Sequence, residues 1–146
     1  HFKRPGTPFA LHAWRPHQDN AYVHAPPGTA VSAIIALADS NRENGGMYAY
    51  PGSHREEILP FEDHPSDDGK DNPGKEVAVP SGYGRYDLFF LKGDLYIQHG
   101  NLIHGSYPNE SLTRCRPHFG IMYIMRHAPF RLGAMRSREH TEILLH

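Results

Sequence analysis

Thr29-Ala30-Val31-Ser32-Ala33-Ile34-Ile35-Ala36-Leu37 is apolar with few polar breaks. Such a run reads as a strand buried on both faces. Downstream of it, Met47 to Tyr50 follows a Gly45-Gly46 turn and stops at Pro51-Gly52. Arg85 to Leu91 resumes strand character, Lys92-Gly93-Asp94 is a turn, and Leu95 to His99 is the next strand. His118 to Met125, HFGIMYIM, is a final strand. Upstream, Phe9 to Trp14 reads as a short strand. Glu62 to Gly84 is rich in Asp, Gly, Pro and Ser and has no periodicity, so a long loop is expected there, a candidate lid. Only the tail from Met135 onwards has the pattern of a short helix. Glycine (14) and proline (13) are spread throughout and cut the chain into short pieces, which suits strands better than helices. The expectation is a mainly β chain with few or no helices, a sandwich or jelly roll.

Length and composition set further bounds. The 146 residues suffice for one domain, and 38% hydrophobic with 11% aromatic residues supply a core for it. Lys plus Arg number 15 against 16 Asp plus Glu, a balance with no electrostatic footprint for nucleic acid or an anionic membrane. No apolar run approaches the length of a membrane span. Cys115 is the one cysteine, which excludes an internal disulfide and points to a reducing, cytoplasmic compartment. With 12 histidines against that cysteine, a metal site must be built from nitrogen and oxygen. His1-Phe2-Lys3-Arg4 has neither a starting Met nor a signal-peptide pattern, and the expectation is a processed or truncated chain.

Two segments far apart in sequence carry the chemistry: His17-Gln18-Asp19 and Ile103-His104-Gly105-Ser106. Two imidazoles and one carboxylate, with three positions left open, form the ligand set of non-haem Fe(II) oxygenases. A His-x-carboxylate tripeptide alone is weak, because chance supplies roughly one in a chain of this composition. The chain holds three. Residues i and i+2 of an extended segment share a face, so His17 and Asp19 can point into one cavity. His54-Arg55-Glu56 follows Pro-Gly-Ser and reads as a solvated loop. His140-Thr141-Glu142 lies in the expected terminal helix, where i and i+2 do not share a face. His99 is the rival to His104, although their odd spacing puts them on opposite faces of an extended strand. Arg114 and Arg116 open the last strand and share a face. A guanidinium there can grip an acidic co-substrate with two parallel hydrogen bonds. His24, His64, His118 and His127 carry no assignment.

HQDNAY (17–22), ENGGMYAYPGSHR (43–55), LKGDLYIQHGNLIHGSYPNES (91–111) and the Arg-led last strand resemble the phytanoyl-CoA dioxygenase family of Fe(II)/2-oxoglutarate oxygenases. The similarity runs from Trp14 to Met125, with the four pieces in register. The resemblance implies a double-stranded β-helix, a jelly-roll, cupin-like barrel. It implies Fe(II) held by His17, Asp19 and His104, which favours His104 over His99, with 2-oxoglutarate and O2 as co-substrates. Counted back from Tyr123, Arg116 best fits the position that binds the far carboxylate of 2-oxoglutarate, while counted forward from His104 Arg114 and Arg116 fit it equally; Arg116 is the first choice, and Ser106 matches a position that also touches the co-substrate. Tyr22, Asn20 and Arg55 are candidates to face substrate.

The resemblance also sets expectations about what this chain lacks. Some relatives carry a tryptophan beside the co-substrate on the strand that here reads SAIIAL, where this chain has Ile34 or Ile35. Relatives carry a sizeable segment before the HxD motif, whereas sixteen residues precede His17 here. The expected unit is therefore a single catalytic barrel over residues 1–146 without that N-terminal segment, with an exposed sheet face that threatens solubility. Halogenating relatives replace the carboxylate by a small residue. Asp19 fills that place, so hydroxylation of a C–H bond of a small molecule, with release of succinate and CO2, is the expected reaction. Two other readings compete: a cupin-like metalloenzyme that does not use 2-oxoglutarate, and a non-catalytic barrel that serves as a binding module.

Overall fold

The apolar run is the strand at the centre of one of two sheets. The structure, a computed structural model, describes residues 2–11, 13–64, 74–131 and 143. Among the described residues ten strands are formed: β1 Phe2–Lys3, β2 Trp14–His17, β3 Ala30–Ala36, β4 Met47–Ala49, β5 Phe61–His64, β6 Gly74–Val77, β7 Tyr86–Leu88, β8 Leu95–His99, β9 His104–Ser106 and β10 Arg116–Ile124. Eight of them make two four-stranded antiparallel sheets, β1-β10-β3-β8 and β2-β9-β4-β7. Successive strands of the two sheets switch between them at every step except β4 to β7, so that each sheet pairs strands distant in sequence, which is the jelly-roll arrangement. No helix among the described residues is longer than four residues, and the one α-helical turn among them is Pro8–Leu11. Among those residues no helix is long and apolar enough to cross a membrane.

Register explains what β3 does. Ser32 pairs with Gln98 on one side and Met122 on the other, and Ala33 pairs with Ile97 and Ile121. Alternation sends Ala30, Ser32 and Ala36 inward, where all three are buried. It sends Ile35 outward beside Leu95 and Phe119, and those three are 39%, 60% and 52% exposed. The expectation of a strand buried on both faces is thus corrected to one buried face. A continuous apolar run does not say which of its faces a second layer covers, and among the described residues nothing covers the outer one.

Two other expectations change. Phe9 to Trp14 is not a strand: the Thr7 hydroxyl accepts from the Ala10 amide at 3.3 Å and Pro8 opens a helical turn, so β2 starts only at Trp14. The loop expected from Glu62 to Gly84 has paired ends, because β5 and β6 form a two-stranded ribbon with Phe61 opposite Val77. That ribbon lies against β2, where Arg15 meets Glu76 at 2.7 Å. Residues 65–73 lie outside the described residues, as does the expected terminal helix apart from Ile143.

The barrel interior is more polar than a core. Val23, Ala25 and Ala30 form one apolar cluster, and Ala36, Met47 and Phe90 another. Buried besides these are His17, Ser32, Gln98, His104, Ser106, Arg116 and His118. Burying so many polar groups is costly unless they serve one another or a ligand.

Candidate metal centre

The pairing of β2 with β9 brings the two motif segments together. His17 lies directly across the ladder from His104, and cross-strand partners project to the same side. After His17 the chain leaves the strand and enters a short helical turn, Asp19–Tyr22. Gln18, fully buried, anchors this exit: its amide nitrogen donates to the Glu57 and Asn101 carbonyls at 3.0 and 2.9 Å, and its oxygen accepts from the Leu59 amide at 2.8 Å. With Gln18 fixed outward, Asp19 returns to the face of His17.

One ligand atom each from His17, Asp19 and His104 lie within 4.8 Å of one another. Asp19 Oδ1 is 3.7 Å from both His17 Nε2 and His104 Nε2. His17 Nδ1 lies 2.7 Å from the Arg15 carbonyl and His104 Nδ1 lies 3.0 Å from the Leu102 carbonyl. Donation by Nδ1 to a carbonyl fixes the tautomer and leaves Nε2 unprotonated, with its lone pair directed into the cluster. Asp19 Oδ2 accepts from the Ser32 hydroxyl at 2.5 Å and from the Gln98 amide at 3.0 Å.

Electrostatics favour the same state. Burial, and then the charge of His104, push the His17 imidazole down to about 4, so it is neutral at neutral pH. Burial alone would raise the Asp19 carboxyl. The two imidazoles and the donors Ser32 and Gln98 outweigh it and hold the group below its ordinary value. A carboxylate and unprotonated ring nitrogens are the forms that bind a metal. The donor set therefore fits one divalent ion, and nitrogen with a single carboxylate is the set used by non-haem iron.

The cluster opens on a cavity of about 210 Å³ whose wall includes Trp14, Tyr22, Ser106, Arg116, His118 and Met122. Arg116 is 3% exposed. Its Nε donates to the Gly45 carbonyl at 2.8 Å and its Nη1 to His118 Nδ1 at 3.1 Å. No carboxylate among the described residues pairs with it. Burial lowers its pKa to about 10, the mark of a cation without a counter-charge. The Ser106 hydroxyl, also buried, has no hydrogen-bond partner among the described residues. A cation and a free hydroxyl on the same wall suit the carboxylate of an acidic ligand.

The other candidates fall elsewhere. Arg114 and Arg116 do not share a face, because β10 begins only at Arg116; Arg114 sits on the surface with Glu43 at 2.5 Å. Tyr22 lines the cavity, edge-on to His17. Asn20 does not: its amide closes the turn through Ala25 and Asn101 at 2.8–2.9 Å. Arg55 is exposed and outside the cavity wall. His99 faces outward and packs on His54, with ring centroids 5.6 Å apart. Sequence reasoning missed Ser32, Gln98 and His118. The one available signal was a lone serine at an inward position of an apolar strand.

Comparison with known proteins finds similar sequences and similar folds. The family described as phytanoyl-CoA dioxygenase (PhyH) matches residues 2–116. The rice protein "Phytanoyl-CoA dioxygenase 1" (Oryza sativa subsp. japonica) is 35% identical over 121 residues, which span 75% of this chain and 37% of the relative. The Arabidopsis thaliana "Phytanoyl-CoA dioxygenase" is 35% identical over 113 residues, with the same two shares. The chain thus spans under two fifths of the curated relatives it matches. Among solved structures, the epimerase SnoN in complex with Fe3+, alpha ketoglutarate and nogalamycin RO superposes with a TM-score of 0.70 at 24% identity, over 89% of this chain and 49% of that one. The carbocyclase SnoK superposes with a TM-score of 0.68 at 24% identity, over 91% and 50%. At that identity the likeness is one of fold.

Proposed function

The chain belongs to the phytanoyl-CoA dioxygenase family, and from that premise we propose that it forms the catalytic barrel of a non-haem Fe(II)/2-oxoglutarate-dependent dioxygenase. The reaction would hydroxylate an unactivated C–H bond of a small molecule and release succinate and CO2. The observation that carries this reading is the facing of two features across one cavity: the cluster of His17, Asp19 and His104, and the uncompensated guanidinium of Arg116.

His17, Asp19 and His104 would hold the iron by one face and leave its other positions to ligands that exchange. Bound iron with 2-oxoglutarate supplies the O2 chemistry; the protein supplies binding, orientation and exclusion of water. Arg116 would take the far carboxylate of 2-oxoglutarate, with the Ser106 hydroxyl as a second donor. His118, pushed down to about 3 by burial and by Arg116 and Lys3, stays neutral and accepts from Arg116. It thereby sets the angle of the guanidinium without competing for the anion. Trp14, Tyr22 and Met122 give the cavity an apolar wall that suits a C–H substrate. Asp19 occupies the place that must be vacant for halogenation, which favours hydroxylation.

The test is anaerobic titration of Fe(II) and 2-oxoglutarate, followed by succinate detection across a substrate panel. The wild type should give a weak visible charge-transfer band and His104→Ala none. Arg116→Ala should retain iron binding and need roughly 10–100-fold more 2-oxoglutarate, the equivalent of one charge-assisted hydrogen bond of about 1.5–3 kcal/mol. An unchanged 2-oxoglutarate requirement in Arg116→Ala would remove the co-substrate from the proposal.

A further inference from the structure

We propose that Ser32 and Gln98 are positioning residues that pin Oδ2 of Asp19, so that the carboxylate presents Oδ1 alone to the metal. The inference rests on the reading of His17, Asp19 and His104 as the ligands. Ser32 on β3 and Gln98 on the edge strand β8 are register partners in the first sheet, and both are buried. They are 6% and 2% exposed. The imidazoles come from the second sheet, so the carboxylate is held by the first sheet while the histidines are set by the second.

The geometry is selective for one oxygen. Ser32 Oγ is 2.5 Å and Gln98 Nε2 is 3.0 Å from Oδ2. Oδ1 accepts from neither and lies 3.7 Å from each histidine Nε2. Gln98 Nε2 is also 3.0 Å from His104 Nε2, a contact that a bound metal would replace, since both use the one lone pair of that nitrogen. Asp19 needs such support because it stands in a short turn rather than in a ladder. Two donors on one oxygen tie up the lone pairs through which it would chelate. A carboxylate that binds through one oxygen takes one position at the ion, and the remaining positions stay open for co-substrate and O2. Without the clamp, Asp19 can rotate, bind through both oxygens, or release.

Cobalt(II) serves as the probe, titrated into the full chain and followed by its visible spectrum, with thermal melting of the metal-free protein alongside. Ser32→Ala should weaken cobalt binding roughly 10-fold, and the Ser32→Ala/Gln98→Met pair up to about 100-fold, the range found for groups that orient metal ligands. The cobalt spectrum should change in both, and Ser32→Thr, which keeps the hydroxyl, should restore the wild-type spectrum. A paired variant with wild-type affinity and spectrum overturns the clamp. His104→Ala separates the two ideas: if it binds cobalt as the wild type does, the ligand assignment itself is wrong. If the paired variant does not melt as a folded protein, Ser32→Ala alone decides, since it removes one oxygen and adds no volume.

Discussion

Single side chains in this barrel are set by the company they keep inside it. His118 is the clearest case, since its Nδ1 accepts from buried Arg116 and the imidazole is held down to about 3 by burial, Arg116 and Lys3. The folded state keeps it neutral, while the unfolded chain protonates it near 6.5. Its contribution to stability is therefore complete above pH 6.5 and is lost as pH falls toward about 3. The slope from this one group is at most about 1.4 kcal/mol per pH unit. Urea unfolding of the wild type and His118→Gln at pH 7, 6, 5 and 4 should show the gap between them shifting against the wild type as pH falls. A gap that stays constant would mean that His118 is not neutral in the fold. At this scale the sequence was partly legible. His17 and Asp19 stand two apart, a spacing that any extended segment converts into a shared face. Arg114 and Arg116 have the same spacing, yet they separate because the strand starts between them. Asn20 shows the opposite error: a short amide after a ligand motif closes its turn.

Among the elements, β9 shows how tightly the ladder fixes the site. It lies between β2 and β4, and Gly105 is its middle residue. A Cβ at Gly105 would lie 2.5 Å from the Trp14 carbonyl oxygen and would meet the Tyr48 phenol. Gly105→Ala should therefore force β2 and β9 apart, at a cost of about 1–3 kcal/mol in denaturant unfolding. It should also weaken cobalt binding, because His104 and His17 are the neighbouring pair. Wild-type stability in this variant would mean that the β2–β9 contact is looser than described. Strands β3, β4, β8 and β10 were readable from apolar runs bounded by turns. The helical turn at Pro8–Leu11 and the β5–β6 ribbon were not. The first is decided by a cap at Thr7 that competes with an aromatic-rich stretch, and the second by pairing across a polar segment without alternation. Ser32 and Gln98 were hidden for a related reason: only the register between β3 and β8 sets them side by side.

The molecule as a whole has two unlike sheet faces. The inner face is a polar site; the outer face of the first sheet exposes Ile35, Leu95, Ile97 and Phe119 on neighbouring strands. Contiguous apolar surface of this kind drives association or dye binding. Replacing Ile97 and Phe119 by Lys should lower binding of a hydrophobic dye and raise the soluble concentration of the 146-residue chain, with cobalt affinity unchanged. Undiminished dye binding would place the sticky surface elsewhere. Such a pair of results would also show that the site is built by the barrel interior and does not depend on the outer face. The interior site rests on the meeting of two segments from opposite ends of the chain at one ion. The direct measurement is anomalous diffraction at the iron edge from crystals grown anaerobically with Fe(II). A single peak about 2.0–2.2 Å from His17 Nε2, Asp19 Oδ1 and His104 Nε2 is the expected result. A peak bound by other side chains, or iron-soaked crystals with no peak between β2 and β9, would contradict it.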